Sequence, residues 1–186
     1  AVSANLLGRL AAEPDTEDPI GYLARLSVRE ADLLITDRRL GTSWHAPNTD
    51  VNLRRDANGI EGEISLNLEL DKRLAHVTVL GGFQRRTRHL DFGVEFADIV
   101  PGVFSRLSPR LADLESVGVP LAGKLLISMT VEGVVEAVDF DLKGGAGHID
   151  LPAPLAQRIQ VLGLAAQGLY RGEDGVVEVE ELTVDL

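Results

Sequence analysis

The stretch Ile64-Ser65-Leu66-Asn67-Leu68-Glu69-Leu70 alternates apolar and polar residues without interruption. Successive side chains of a β-strand point to opposite faces of its sheet, so this pattern predicts a strand with one apolar and one solvated face. A helix would instead spread the same residues around its circumference. The stretch therefore predicts a β fold in which one sheet face meets water.

The same alternation recurs at residues 77–79, 90–96, 125–131, 138–142, 177–179 and 182–184. Short turn sequences separate the runs, at residues 56–59, 71–73, 132–133 and 172–175. Because short connections join antiparallel neighbours, we expect a meander of about ten strands, which for one open sheet should curl or fold over. The predicted fold class is mainly β, a strongly curved antiparallel meander that forms either an open groove or a sandwich-like body.

One segment departs from this pattern and predicts a short two-helix insertion near residues 98–115. Its apolar residues follow the spacing of one helical face, at Val103, Phe104, Leu107, Leu111 and Leu114. Asp98 and Ser108 are candidate N-caps, each followed closely by a proline. A smaller helical turn is predicted from Asp18 toward Leu26. No linker interrupts the chain, so residues 1–186 are expected to form a single β-rich module, and the start at Ala1 suggests a segment of a larger protein.

Composition narrows the possible partners. The chain has 186 residues with 29 acidic and 18 basic side chains, a net charge of -11 that disfavours binding to nucleic acid. It has no cysteine, so disulfides and thiolate metal sites are excluded. No run reaches the roughly 18 apolar residues of a transmembrane helix, so we predict no membrane-spanning segment in this chain.

No residue pattern supports catalysis, a metal site or a cofactor. The histidines, His45, His76, His89 and His148, are dispersed and lack the spacing of shared metal ligands. Asp91-Phe92-Gly93 matches a kinase tripeptide but lies in an alternating strand without the other kinase motifs. The glycines of residues 143–147 lack the Gly-Lys-Ser/Thr ending of a phosphate-binding loop and suit a tight β connection. We therefore predict that the protein is not an enzyme.

Three groups of charged residues have two interpretations each. The pairs Asp139/Asp141 and Glu178/Glu180 could hold a hard cation, but a solvated sheet face is the favoured interpretation. The basic run of Arg85, Arg86 and Arg88 could contact anionic lipid head groups or an acidic partner. A solvated hairpin turn is favoured, since lipid-recognition clusters usually have about four to eight charges.

Several segments resemble the AsmA-like envelope proteins of Gram-negative bacteria. They are residues 31–37, 40–41, 44–47, 53–56, 59–64, 120–125 and 144–152. The resemblance implies a protein similar to bridge-like lipid transfer proteins, with a long curved sheet forming an apolar groove for phospholipid. It also implies a periplasmic location, a parent protein anchored in the inner membrane, and a role in outer-membrane lipid homeostasis. On this resemblance we expect the anchor to belong to the parent protein and this chain, too short to bridge an envelope, to be one segment of such a conduit.

The alternation leaves open whether the apolar face meets lipid or protein. In a groove, the residues that would contact acyl chains are Leu66, Leu68, Leu70, Ile127, Met129, Phe140 and Leu142. The aromatic content of 4% favours such an aliphatic lining, and the lone Trp44 is expected in the core. The alternative is a closed β-sandwich that serves as a structural or protein-interaction module, and a weaker one is an enzyme built from scattered carboxylates. The partners expected are phospholipid or another acyl-chain lipid and the rest of the parent chain; residues 177–186 would be an exposed edge in isolation.

Overall fold

The structure is a computed structural model that describes residues 24–37, 42–71, 73–107 and 109–186. These ranges contain the strands β1 (Arg25–Asp37), β2 (Thr42–Arg55), β3 (Gly59–Leu70), β4 (Arg73–Gln84), β5 (His89–Ile99), β6 (Leu121–Thr130), β7 (Val135–Gly144), β8 (Gly147–Asp150), β9 (Arg158–Val161), β10 (Gly163–Arg171) and β11 (Val176–Asp185). Two consecutive 3₁₀ helices, Pro101–Leu107 and Pro109–Ser116, lie between β5 and β6. The described part of the chain is therefore mainly β, as predicted.

Nine strands form one antiparallel sheet that is not closed, in the order β1-β2-β3-β4-β5-β6-β7-β10-β11. Strands β1 to β7 pair in chain order, which confirms the predicted meander. Strands β8 and β9 form a separate two-stranded sheet, after which β10 returns beside β7. The predicted runs 177–179 and 182–184 belong to one strand, since a β-bulge absorbs the extra residue between them.

The register sorts the side chains onto two faces. Residues directly opposite each other in an antiparallel pair share a face. One row across the sheet consists of Val51, Ile64, Val79, Val94, Leu125 and Phe140. The next row, on the other face, consists of Ser65, Thr78, Glu95, Lys124, Asp141 and Gln167. The alternation seen in single strands is thus in phase across the whole sheet.

The turns form where the sequence predicts them. In the β2–β3 turn, Asp56 Oδ1 accepts hydrogen bonds from the N–H groups of Asn58 (2.7 Å) and Gly59 (3.0 Å). Gly133 and Gly175, in two other predicted turns, have φ values of 86° and 65°, which favour glycine. The basic run lies in the β4–β5 hairpin turn, as favoured. There Arg85 Nη1 donates to the carbonyl of Ala57 (2.6 Å), and Arg88 pairs with Glu132 (2.9 Å).

The predicted helical insertion is confirmed, and its two helices are of the 3₁₀ type. They pack mainly on each other rather than on any strand. Asp98 was predicted as an N-cap, but it belongs to β5, and Val100 directly precedes the first helix. Asp98 has a φ of 61° beside the point where the β5–β6 register shifts. Ser108, the other predicted cap, lies outside the described residues. So does most of the helical turn predicted from Asp18, and β1 already begins at Arg25.

A small structure, which we call the cap, lies at one end of the sheet and consists of residues 117–120 with β8 and β9. The N–H of Gly118 donates to the carbonyl of His148 (2.8 Å), and Arg158 binds Asp150 through two hydrogen bonds (2.6 and 2.8 Å). Val119 and Val161 are 0% and 1% exposed. A Cβ placed on Gly144 would lie 2.7 Å from Val119 Cγ1, so Val119 packs over the last residue of β7.

Candidate functional site

All seven residues predicted to line a groove lie on one face of the sheet. Leu66, Leu68 and Leu70 belong to β3, and the remaining four, Ile127, Met129, Phe140 and Leu142, belong to β6 and β7. The strand register connects the two groups. One row of opposed residues begins at Leu66 and passes through Val77, Phe96 and Gly123 to Leu142. The seven predicted residues therefore share one face of the sheet.

The two predicted groups are three strand steps apart, roughly 14 Å. Residues of β4 and β5 that were not named as groove residues fill this gap: Val77, Val79, Leu90, Phe92, Val94 and Phe96. They show the same alternation, so the signal was present in the sequence. Only the register reveals that they connect the predicted residues into one continuous apolar surface.

The central part of this surface carries no charge. Four consecutive rows cross from β3 toward β7. They are Ile60-Phe83-Leu90-Met129, Gly62-Gly81-Phe92-Ile127-Val138, Ile64-Val79-Val94-Leu125-Phe140 and Leu66-Val77-Phe96-Gly123-Leu142. These rows cover roughly 20 Å along the strands and about the same distance across them. We call these rows the apolar face.

Most of the apolar face is half-buried, and Phe83 is an exception at 8% exposed. Ile127, Met129, Phe140 and Leu142 all have intermediate exposure, as do Leu66 and Leu68. Leu70 differs, because it is 7% exposed and belongs with the few buried residues of the described chain. Trp44, expected in the core, is half-buried as well. Within the described ranges the sheets have nine and two strands, so no second large sheet is present there to close the face.

The two flanks of the surface differ. At the end of β7 the cap covers Gly144 with Val119. At the lateral edge, β11 continues the apolar rows with Val177, Val179, Leu182 and Val184, which are 57, 55, 61 and 40% exposed. The surface is therefore covered at the end of β7 and open along the β11 side.

Several charged groups lie on the opposite face and pair there. Lys124 Nζ lies 2.6 Å from Glu95 Oε1, and this hydrogen bond raises the pKa of Lys124. His45 lies between two carboxylates, with Nδ1 2.9 Å from Glu69 Oε2 and Nε2 2.6 Å from Asp32 Oδ1. The hydrogen bond to Glu69, and next that to Asp32, raise the pKa of His45. Asp139 and Asp141 are exposed on this face, in agreement with a solvated sheet surface.

A cavity of about 920 Å³ lies where the β2–β3 and β4–β5 hairpins meet. Its lining includes the charged residues Arg54, Glu61 and Asp91 beside Gly82. The sequence did not predict this cavity, and Gly81 and Gly82 mark close approach to neighbouring strands, since a Cβ on either would lie 2.5 Å or less from a backbone oxygen. In the part of the chain that the structure describes, no three His, Asp or Glu residues are placed to hold a metal ion.

The chain matches no family model, no curated protein and no solved structure. The resemblance to AsmA-like proteins therefore stays a prediction from the sequence. Of the helices in the described ranges, none has the length and hydropathy needed to cross a membrane.

Proposed function

We propose that the apolar face binds the acyl chains of phospholipid. In this proposal the protein is a non-enzymatic segment of a periplasmic AsmA-like protein, with a parent chain anchored in the inner membrane and acting in outer-membrane lipid homeostasis. The observation that carries the proposal is the uncharged, half-buried apolar surface that crosses the sheet from β3 to β7 in register.

The size and chemistry of the surface support this proposal. Contiguous apolar patches beyond a few hundred Å² are rare on monomeric proteins and mark binding surfaces. The acyl chains of one leaflet extend over roughly 15 Å, half of a bilayer's hydrocarbon core, and the four rows are long enough to hold one. Their side chains are aliphatic or aromatic, and the ion pair of Lys124 with Glu95 lies on the opposite face.

The first test is native mass spectrometry of the protein purified from bacteria, followed by organic extraction of bound molecules. We expect phospholipid in near-stoichiometric amount. Ile127→Asp places a charge on the apolar face and should abolish binding, because burying a carboxylate against an acyl chain is costly. Leu68→Asp tests β3 in the same way, because Leu68 lies two residues beyond Leu66 on the same side of the sheet.

Leu126→Asp is the matched control, since Leu126 precedes Ile127 in β6 but lies on the opposite face and is 61% exposed. It should retain the lipid. Circular dichroism and urea denaturation establish that each variant is folded. A protein that carries no lipid and takes up none from added vesicles would contradict the proposal and favour a protein-interaction module without ligand. Equal loss in the Ile127 and Leu126 variants would also contradict it.

A further inference from the structure

Strand β11 forms one edge of the large sheet, and no strand of the described residues pairs with its outer side. The N–H of Leu162 donates to the carbonyl of Asp185 (2.8 Å), so the backbone groups of Asp185 face β10. Backbone groups in an antiparallel ladder face alternate sides from one residue to the next. Those of Leu182 and Val184 therefore face the open edge, where they can pair with a further strand.

On the apolar side of the sheet, β11 has exposed aliphatic side chains that an added strand could cover. Every residue of the strand is exposed. Val179 and Leu182, which continue the apolar rows that begin in β3, are 55 and 61% exposed. An added strand with aliphatic residues on this face would cover them and remove apolar area from water.

The opposite face of β11 is acidic. Glu178 pairs with Arg171 of β10 at 2.7 Å. Glu181 and Asp185 lie opposite Gln167 and Gly163, so β10 offers neither of them a cation. Oppositely charged residues in facing positions stabilise a strand pair, and like charges destabilise it. Lysine or arginine on a new strand is thus favoured beside Glu181 and Asp185.

We propose that the outer edge of β11 docks an extended segment of another polypeptide in which basic and aliphatic residues alternate. The segment adds to the sheet as an antiparallel strand, with its aliphatic residues on the apolar face and its basic residues beside Glu181 and Asp185. A second copy of β11 is a poor occupant, because self-pairing would place the acidic faces side by side. The proposal does not depend on lipid binding.

The test uses fluorescence anisotropy with a labelled peptide of about ten residues in which lysine alternates with valine, and a second peptide with glutamate in place of lysine. At physiological ionic strength the lysine peptide should bind at least about tenfold more tightly. Leu182→Pro removes an outward N–H and leaves the ladder to β10 in place, as proline is tolerated on edge strands. It should weaken binding about tenfold or more, and Val184→Pro provides a second variant should the first fail to fold.

A charge pair of variants separates docking at the edge from general attraction to an acidic protein. Glu181→Lys should weaken binding of the lysine peptide several-fold. Asp139→Lys changes charge identically on the same face but in β7, away from the edge, and should have no effect on binding. Binding that is insensitive to Leu182→Pro, or equally weakened by both lysine variants, would overturn the proposal. So would dimerisation in sedimentation that Leu182→Pro abolishes while the peptide fails to bind.

Discussion

Val119 in the cap and Val179 in β11 are the same residue type in opposite environments. Val119 is 0% exposed and packs over Gly144, whereas Val179 is 55% exposed although it lies opposite Gly168 in a regular ladder. Each belongs to an apolar position of a β-rich sequence. The difference shows that in this fold burial depends on a second layer being present, and that pairing within the sheet does not supply it.

The largest expected loss of stability is at Gly147, the first residue of β8, which packs against the backbone of Gly118 and Val119. A Cβ at this position would lie 2.5 Å from the carbonyl oxygen of Gly118 and 2.8 Å from the Cα of Val119, and both are backbone atoms. Gly147→Ala should therefore destabilise the protein by about 3 kcal/mol, measured by urea denaturation.

Gly145→Ala is the matched control for this change, because its Cβ would meet only Pro120 Cγ at an ordinary 3.6 Å. It should change stability by less than about 0.5 kcal/mol. Similar losses at both glycines would mean that the cap is not packed as tightly as its geometry indicates.

The direct comparison of the two valines has the next largest effect. Val119→Ala removes two buried methyl groups and should cost about 2 kcal/mol, since the cavity cannot collapse fully. Val179→Ala should cost less than about 0.5 kcal/mol in the isolated protein. If the Val179 variant lost as much stability as the Val119 variant, Val179 would be covered in solution and the contrast between the two valines would fail.

The two edges of the sheet offer a smaller, pH-dependent contrast. At the β1 edge, His45 connects Asp32 of β1 to Glu69 of β3, and both carboxylates raise its pKa. A raised folded-state pKa contributes stability below the unfolded pKa of His, and this contribution is lost as pH rises through the folded pKa. Among the described residues, β11 has the ion pair of Glu178 with Arg171 and no comparable histidine bridge.

His45→Gln should therefore lower the denaturation midpoint more at about pH 6 than at about pH 9. The measurement is urea denaturation of both proteins at the two pH values, with His76→Gln as the control histidine on the same face. A difference that stayed constant with pH would assign the effect of His45 to packing rather than to its charge.

Sequence patterns predicted the elements of this fold well and their burial poorly. The run at residues 64–70 gave a strand with the correct face toward the apolar side, and the turn at Asp56 formed with the expected local hydrogen bonds. Strands and turns depend mainly on residues that are close in the sequence, so short sequence patterns predict them. The burial of two residues differs from expectation: Leu70, predicted to line a groove, is buried, and Trp44, predicted in the core, is half-buried. The burial of each residue depends on segments that are distant in the chain.

The seven predicted groove residues illustrate the same limit at the candidate site. Alternation alone assigned Leu66 and Leu142 to apolar faces, but the single row that joins them passes through Val77, Phe96 and Gly123 and follows from register. Register is set by turn lengths and bulges acting together, and a slip of one residue would move every side chain to the other face. The continuity of the surface was therefore beyond prediction from single strands.

By itself, the sequence determined that this chain forms antiparallel strands with one apolar and one charged face, because the two-residue period and the turn residues act locally. Only the tertiary structure decided that the sheet stays open, that the cap buries Val119 and Val161, and that β11 keeps Val179 and Leu182 in water. The physical reason is that burial requires a second surface, and which segments supply it depends on contacts between residues far apart in the chain.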